Sequence, residues 1–272
     1  MPLVANSQRW PRFGEDGAMT AVISNRDGVP IRSVKEWGRL AKPAATNHWK
    51  DGRSAKELAK SWIAGDGQAA LIRLLDTHQA TADLSIDSAM AEAQVSFDEY
   101  PGGKRNHDLL VRGTCASGSI VIGLEAKADE SFGQTIAAYD RHARRIRDAG
   151  KSTNAPERLT ALLDEIGAMS LERVPSAGDL RYQLFSGVAG TLAAADGDDL
   201  AAFVVHEFAT DLTTEAKREA NKRALAEFVG DVTGAVAPDG DWWLLGPFHV
   251  PSRRWSKVPL FIGHLTTPGA RS

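Results

Sequence analysis

The spacing of apolar residues changes period several times along the chain. From Ser54, SAKELAKSWIAG repeats apolar positions every three to four residues and carries Glu57 three places after the serine, the signature of a capped helix. GDGQAALIRLLDTH continues in the same period, so the two segments predict a helical hairpin. Between 92 and 127 the period shortens. AQVSFD, HDLLVRG and SIVIGLEAK are short alternating or continuous apolar runs separated by EYPGGKRN and TCASG, the pattern of a three-stranded antiparallel meander. QTIAAYDRHARRIRDAG is helical again, KSTNAPERL is the most linker-like segment, and ERLTALLDEIGAM is another helix. AGDLRYQLFSGVAGTLAAADG predicts a helix whose small residues permit close packing on a sheet, and LAAFVVHEFA a buried fourth strand. TTEAKREANKRALAEFVGDV is a surface helix with an apolar stripe through Ala220, Leu225 and Val229, and DWWLLGPFHVPSRRWSKVPLFIGHLTT a closing hairpin.

Residues 1–53 lack sustained periodicity and predict an irregular arm anchored by aromatic side chains such as Trp37 and Trp49. The chain therefore divides into that arm, a core over 54–210 with a helical insertion, and a C-terminal helix and hairpin over 211–272. The expected fold class is α/β (α+β).

Composition narrows the function classes. With 272 residues, 43% hydrophobic and 25% charged, the chain has ample material for a core. A net charge of -3 makes any polyanion site a local basic patch in an acidic average. The single cysteine, Cys115, excludes an intrachain disulfide and zinc sites built on several thiolates. No apolar run approaches a membrane span, and MPLVANSQRWPRFGEDG lacks the head and apolar stretch of a signal peptide, so a cytoplasmic protein without a membrane partner is expected.

Candidate chemistry rests on acid-x-Lys triplets, of which chance supplies roughly 1.4 in such a chain. Two are present. Glu215-Ala216-Lys217 lies in a polar helical segment and reads as surface. Glu125-Ala126-Lys127 ends an apolar strand, where residues two apart share a face, so acid and amine emerge together. Asp108 opens the preceding strand. In a meander, Asp108 and Glu125 approach on one side of the sheet and offer an oxygen site for a hard divalent ion, with Lys127 beside it. That combination suits phosphodiester hydrolysis.

HDLLVRG, IGLEAKADESFG, LRYQLFSG and FVVHEF, in this order, resemble the PD-(D/E)xK nuclease superfamily, and within it an uncharacterised bacterial family. The resemblance covers roughly residues 85 to 210, with His107 in place of the proline. It implies a restriction-endonuclease-like core of helix, three-stranded meander, helix and strand. It also implies Mg²⁺ or Mn²⁺ as cofactor, Asp108 and Glu125 as metal ligands, Lys127 assisting the nucleophile, and nucleic acid, foremost DNA, as partner. Glu92, with Glu57 as runner-up, matches the family's additional glutamate before the meander. Gln183, with Arg181 and Tyr182, resembles the Gln-containing motif of RecB-like and Cas4-like exonucleases. A homodimer is an allowed assembly. Two other classes fit the same residues: an inactive nuclease-fold scaffold in a defence or repair complex, and a hydrolase of small phosphate esters.

Remaining candidates carry bland alternatives. Arg253, Arg254 and Lys257 flank Trp255, a mix that suits phosphate contact and base stacking or simply a solvated hairpin. Arg141, Arg144, Arg145 and Arg147 suit a phosphate track or a helix dipole. Glu130 and Ser131 suit a helix start. His206 reads as a core histidine, and His107 alone lies near the proposed chemistry.

Overall fold

Ile120, Ile122, Leu124 and Ala126 alternate along one strand and are buried in a cluster with Trp62, Leu71 and Leu74 from two helices. Their neighbours Val121, Gly123, Glu125 and Lys127 must therefore point to the opposite face. This partition fixes the architecture, a mixed sheet with helices on both faces. The computed structural model describes residues 21–43, 48–101, 103–166, 177–195, 197, 199–250 and 252–269.

Among these residues seven strands form one sheet: β1 (Val22–Ser24), β2 (Ser85–Val95), β3 (Arg105–Cys115), β4 (Gly118–Lys127), β5 (Leu200–Ala209), β6 (Trp242–Phe248) and β7 (Leu260–Pro268). Their order across the sheet is β1-β2-β3-β4-β5-β7-β6. β2, β3 and β4 pair antiparallel as a meander, and β6 with β7 as a hairpin; β1 on β2, β4 on β5 and β5 on β7 are parallel. One layer holds α1 (Val34–Leu40), α2 (Ser54–Ala64) and α3 (Asp66–Leu75), which supply Trp37, Trp62 and Leu71 to its core. The other holds α4 (Ile136–Asp148), α5 (Ala155–Ile166), α6 (Tyr182–Ala194) and α7 (Glu215–Thr233), packed on Phe203, Val205 and Ile262.

Central β5 is buried along nearly its whole length, as a strand covered on both faces requires. α6 approaches the sheet closely. A methyl group on Gly123 of β4 would collide with Thr191, and one on Gly187 of α6 would sit 2.5 Å from Phe203. No helix among the described residues is long and apolar enough to cross a membrane.

Several sequence expectations need correction. Residues 21–43 hold two regular elements where an irregular arm was expected: β1 joins the sheet and Trp37 is buried in α1. Both elements are short, three and seven residues, below what periodicity reveals. The first twenty residues lie outside the described ones. LAAFVVHEFA is consequently the fifth strand. The meander's first strand begins at Ser85 and not at Ala93, because β1 and β3 pair with SIDSAMAE despite its polar residues. α2 is capped by Arg53, one residue before the expected serine, and Glu57 still accepts a backbone N–H, from Gly52 at 2.9 Å. Thr135, and not Glu130, caps α4 by accepting from Ala138 N.

Candidate functional site

Asp108 and Glu125 come together where β3 and β4 separate. The ladder between these strands runs from Cys115↔Gly118 to Leu109↔Leu124 and stops one row before Asp108 would meet Glu125. Asp108 occupies the gap: its Oδ2 accepts the N–H of Ala126 at 2.7 Å, taking the place of a strand carbonyl. Glu92 stands on the other flank. The β2–β3 rows Ala91↔Leu109 and Ala93↔His107 enclose Glu92 and Asp108 without joining them. Glu92 has a φ of +54°, a left-handed value that costs a non-glycine residue about 1 kcal/mol.

This irregularity inverts the sheet's alternation. Ala89, Ala91, Leu109 and Val111 belong to the core under α1 to α3. Beyond the break, Ala93 packs with Leu110 and Val121 on the opposite face, and His107 and Arg105 reach Gly190 of α6. The shift brings Arg105 to Glu125. Glu125, buried at 1% exposure, receives Lys127 Nζ and Gln183 Nε2 on Oε1 and Arg105 Nη2 on Oε2. Glu92 accepts from Asn106 Nδ2.

The electrostatics follow from this arrangement. Burial works to raise the Glu125 carboxyl, and Lys127 and Arg105 outweigh it, so Glu125 stays ionised below the usual range. Asp108 is pushed up to about 8, first by burial and then by Glu125, with Lys127 offsetting part and Glu92 adding to the rise. Burial also raises Glu92, opposed by Asn106. Arg105 and Lys127 both pair directly with Glu125, while among the described residues neither Asp108 nor Glu92 has a salt-bridge partner.

That deficit bears on whether the residues suit a metal. Among the described residues no three or more His, Cys, Asp and Glu side chains are arranged to hold an ion. Mg²⁺ needs fewer, since it binds through one or two carboxylates and completes its shell with water and phosphate oxygens. Asp108 uses only Oδ2 within the described structure. Two adjacent hard oxygen donors beside an uncompensated acid are compatible with such an ion, provided Glu125 yields at least one of its donors.

The remaining predicted residues scatter. Glu57, the alternative glutamate, binds Lys60 and Gly52 on α2. Arg181 precedes α6 and donates to Gly133 O at 2.9 Å, tying down the loop before α4. Arg254 binds Glu99 and the Phe97 carbonyl, and Trp255 is buried at 8% exposure, so stacking of a base on Trp255 is corrected: it is core. Arg253 and Lys257 are exposed. Glu130 accepts from Ser54, joining α2 to the end of β4. His107, fully buried against α6, is held neutral with its pKa near 3, chiefly by burial. His206 is buried with Nε2 2.8 Å from Thr267 Oγ1. The second triplet, Glu215 to Lys217, lies exposed on α7.

A family model, Domain of unknown function (DUF6946), matches residues 30–268. The chain belongs to this family. The matched span includes α1 to α7 and β2 to β7, and with them every residue of the acidic row. No curated protein and no solved structure matches.

Two partners in the site, Arg105 and Asn106, escaped the sequence reading. They precede Asp108 by three and two residues, and a regular strand would place Asp108 and Asn106 together with Arg105 turned away. Their only signal was the polar cluster KRNHD ahead of an apolar run.

Proposed function

We propose that the protein is a metal-dependent nuclease, hydrolysing phosphodiester bonds foremost in DNA, on a restriction-endonuclease-like core. The observation that carries this reading is the convergence of Asp108, Glu125, Lys127 and Gln183 where β3 and β4 part. Asp108 and Glu125 would hold Mg²⁺ or Mn²⁺. Such an ion supplies a Lewis acid that offsets phosphate charge and lowers the pKa of water. Lys127 shares the face of Glu125, to which its ammonium is bonded, and in this reading that ammonium would turn toward a phosphate or an attacking water. Gln183 and Arg105 keep the Glu125 carboxylate in place. Arg141 and Arg145 on α4, together with Arg253 and Lys257, are exposed cations suited to a nucleic-acid backbone.

The test is a panel of double-stranded DNA, single-stranded DNA and RNA incubated with the intact protein and Mg²⁺, Mn²⁺ or chelator. Metal-dependent cleavage that falls at least about 100-fold in Lys127→Ala and Asp108→Ala supports the reading. Absence of both ion binding and cleavage defeats it.

A second reading, a nuclease-fold binding or scaffold protein, is favoured by one observation: both oxygens of Glu125 are already engaged by donors. Nucleic-acid binding unaffected by Mg²⁺, without cleavage, would select it.

A further inference from the structure

A cavity of about 390 Å³ lies between the β2–β3 connection and the α4–α5 loop, lined by Gly103, Tyr139, Ser152, Thr153, Asn154 and Arg158 among others. Two independent connections join it to the acidic row. Gly103, at its rim, is two residues from Arg105, which binds Glu125. Tyr139 stacks on Tyr182 with centroids 4.0 Å apart and planes 7° from parallel, and Tyr182 precedes Gln183, which also binds Glu125.

The cavity's walls are fixed. Arg158, almost fully buried, donates to Asp98 at 2.7 Å and to the Gly103 carbonyl, which holds the β2–β3 connection against α5. Tyr182 backs one side of the Tyr139 ring, leaving Tyr139 half-buried with a side toward the cavity. An aromatic ring held this way loses little freedom when a second flat group stacks on it. The other lining groups are hydroxyls, an amide and backbone, donors and acceptors suited to a sugar and phosphate.

We infer that this cavity takes a nucleotide unit of a single-stranded DNA segment, its base stacked on Tyr139 and its strand leading to the acidic row. The inference rests on the nuclease reading for the identity of the polymer. It adds a binding subsite apart from the metal ligands, and it assigns Tyr139 to substrate binding and Tyr182 to positioning Tyr139.

The experiment uses the intact protein in chelator, a short single-stranded DNA labelled for fluorescence anisotropy, and the same DNA carrying 5-iodouracil for photocrosslinking. Stacking on an aromatic side chain is worth about 1–3 kcal/mol per base, so Tyr139→Leu is expected to weaken binding by about fivefold or more, and Tyr139→Phe to retain it. The crosslink is expected on Tyr139 or an adjoining residue of the cavity. Near-ultraviolet circular dichroism checks that Tyr139→Leu stays folded, and the crosslink on unmodified protein stands independently of that variant. Unchanged affinity in a folded Tyr139→Leu, or crosslinks confined to other surfaces, overturns the inference. Tyr139-dependent binding without metal-dependent cleavage would uphold the subsite and remove the nuclease reading. Cleavage with no Tyr139 contact would do the reverse, and no binding at all would defeat the subsite.

Discussion

Glu92 and Asp108 form the row missing from the β2–β3 ladder, two acids facing across a gap with no salt-bridge partner for either among the described residues. Burial, and then the nearby Glu125 carboxylate, raise Asp108 to about 8, so it is protonated over much of the neutral range. Several measurable properties depend on that proton.

Replacing Asp108 by Asn tests it through stability. The folded-state pKa, about 8, lies above the ordinary 3.8, so the native protein binds the extra proton between those values. Its contribution is fully present below about pH 4 and is lost as pH rises to about 8. Asp108→Asn keeps an acceptor for Ala126 N–H and has no such loss. Urea denaturation from pH 5 to 8 should show the variant gaining on the native protein with rising pH, by on the order of a few kcal/mol after screening. A pH-independent difference would contradict the assignment.

An ion bound by Asp108 must displace the same proton. Calorimetric titration with Mg²⁺ in buffers of differing ionisation enthalpy should report release of close to one proton per ion at pH 7, falling toward zero at pH 9. Equal heats in all buffers at pH 7 would place the ion elsewhere.

Glu125→Gln leaves Arg105 and Lys127 buried against a neutral amide. Removing one partner of a buried pair typically costs about 3–5 kcal/mol, and the denaturation midpoint should fall accordingly. Glu215→Gln, on exposed α7, should stay within about 0.5 kcal/mol of the native value. Similar effects at the two glutamates would mean that Glu125 is not buried as described.

Gly123→Ala probes the closeness of α6 to β4. Its added methyl would strike Thr191 Oγ1 and sit 2.9 Å from His107 Cε1. Thermal unfolding should show a loss of about 1–3 kcal/mol, part of which returns in the Gly123→Ala, Thr191→Ala double variant.

The sequence revealed most where side-chain period and burial agree. Strands β3 to β5, helices α4 to α7 and the closing hairpin were legible because their apolar residues repeat at 2 or 3.6 over seven residues or more. β1 was not, since three residues carry no period. Asp108, Glu125 and Lys127 were legible because each sits at the boundary of a strong apolar run, and Gln183 through the resemblance of LRYQLF to a Gln-containing nuclease motif. Arg105 and Asn106 were hidden because the strand containing them changes face at Asp108, and an alternation rule assigns both to the wrong side. Trp255 misled in the opposite direction: a tryptophan between Arg254 and Lys257 reads as exposed, but a turn buries it while Arg254 bonds outward to Glu99.

The face change at Glu92 and Asp108 also limits how this arrangement can be transplanted. Installing an aspartate, a glutamate and a lysine at matching positions of an unbroken hairpin would reproduce the triplet and lose the second cation, because Arg105 would then project into the opposite layer. A working graft needs the backbone defect as well as the side chains, including a residue at position 92 that tolerates a left-handed conformation. In a redesigned scaffold, glycine or asparagine is the natural first choice there for the backbone.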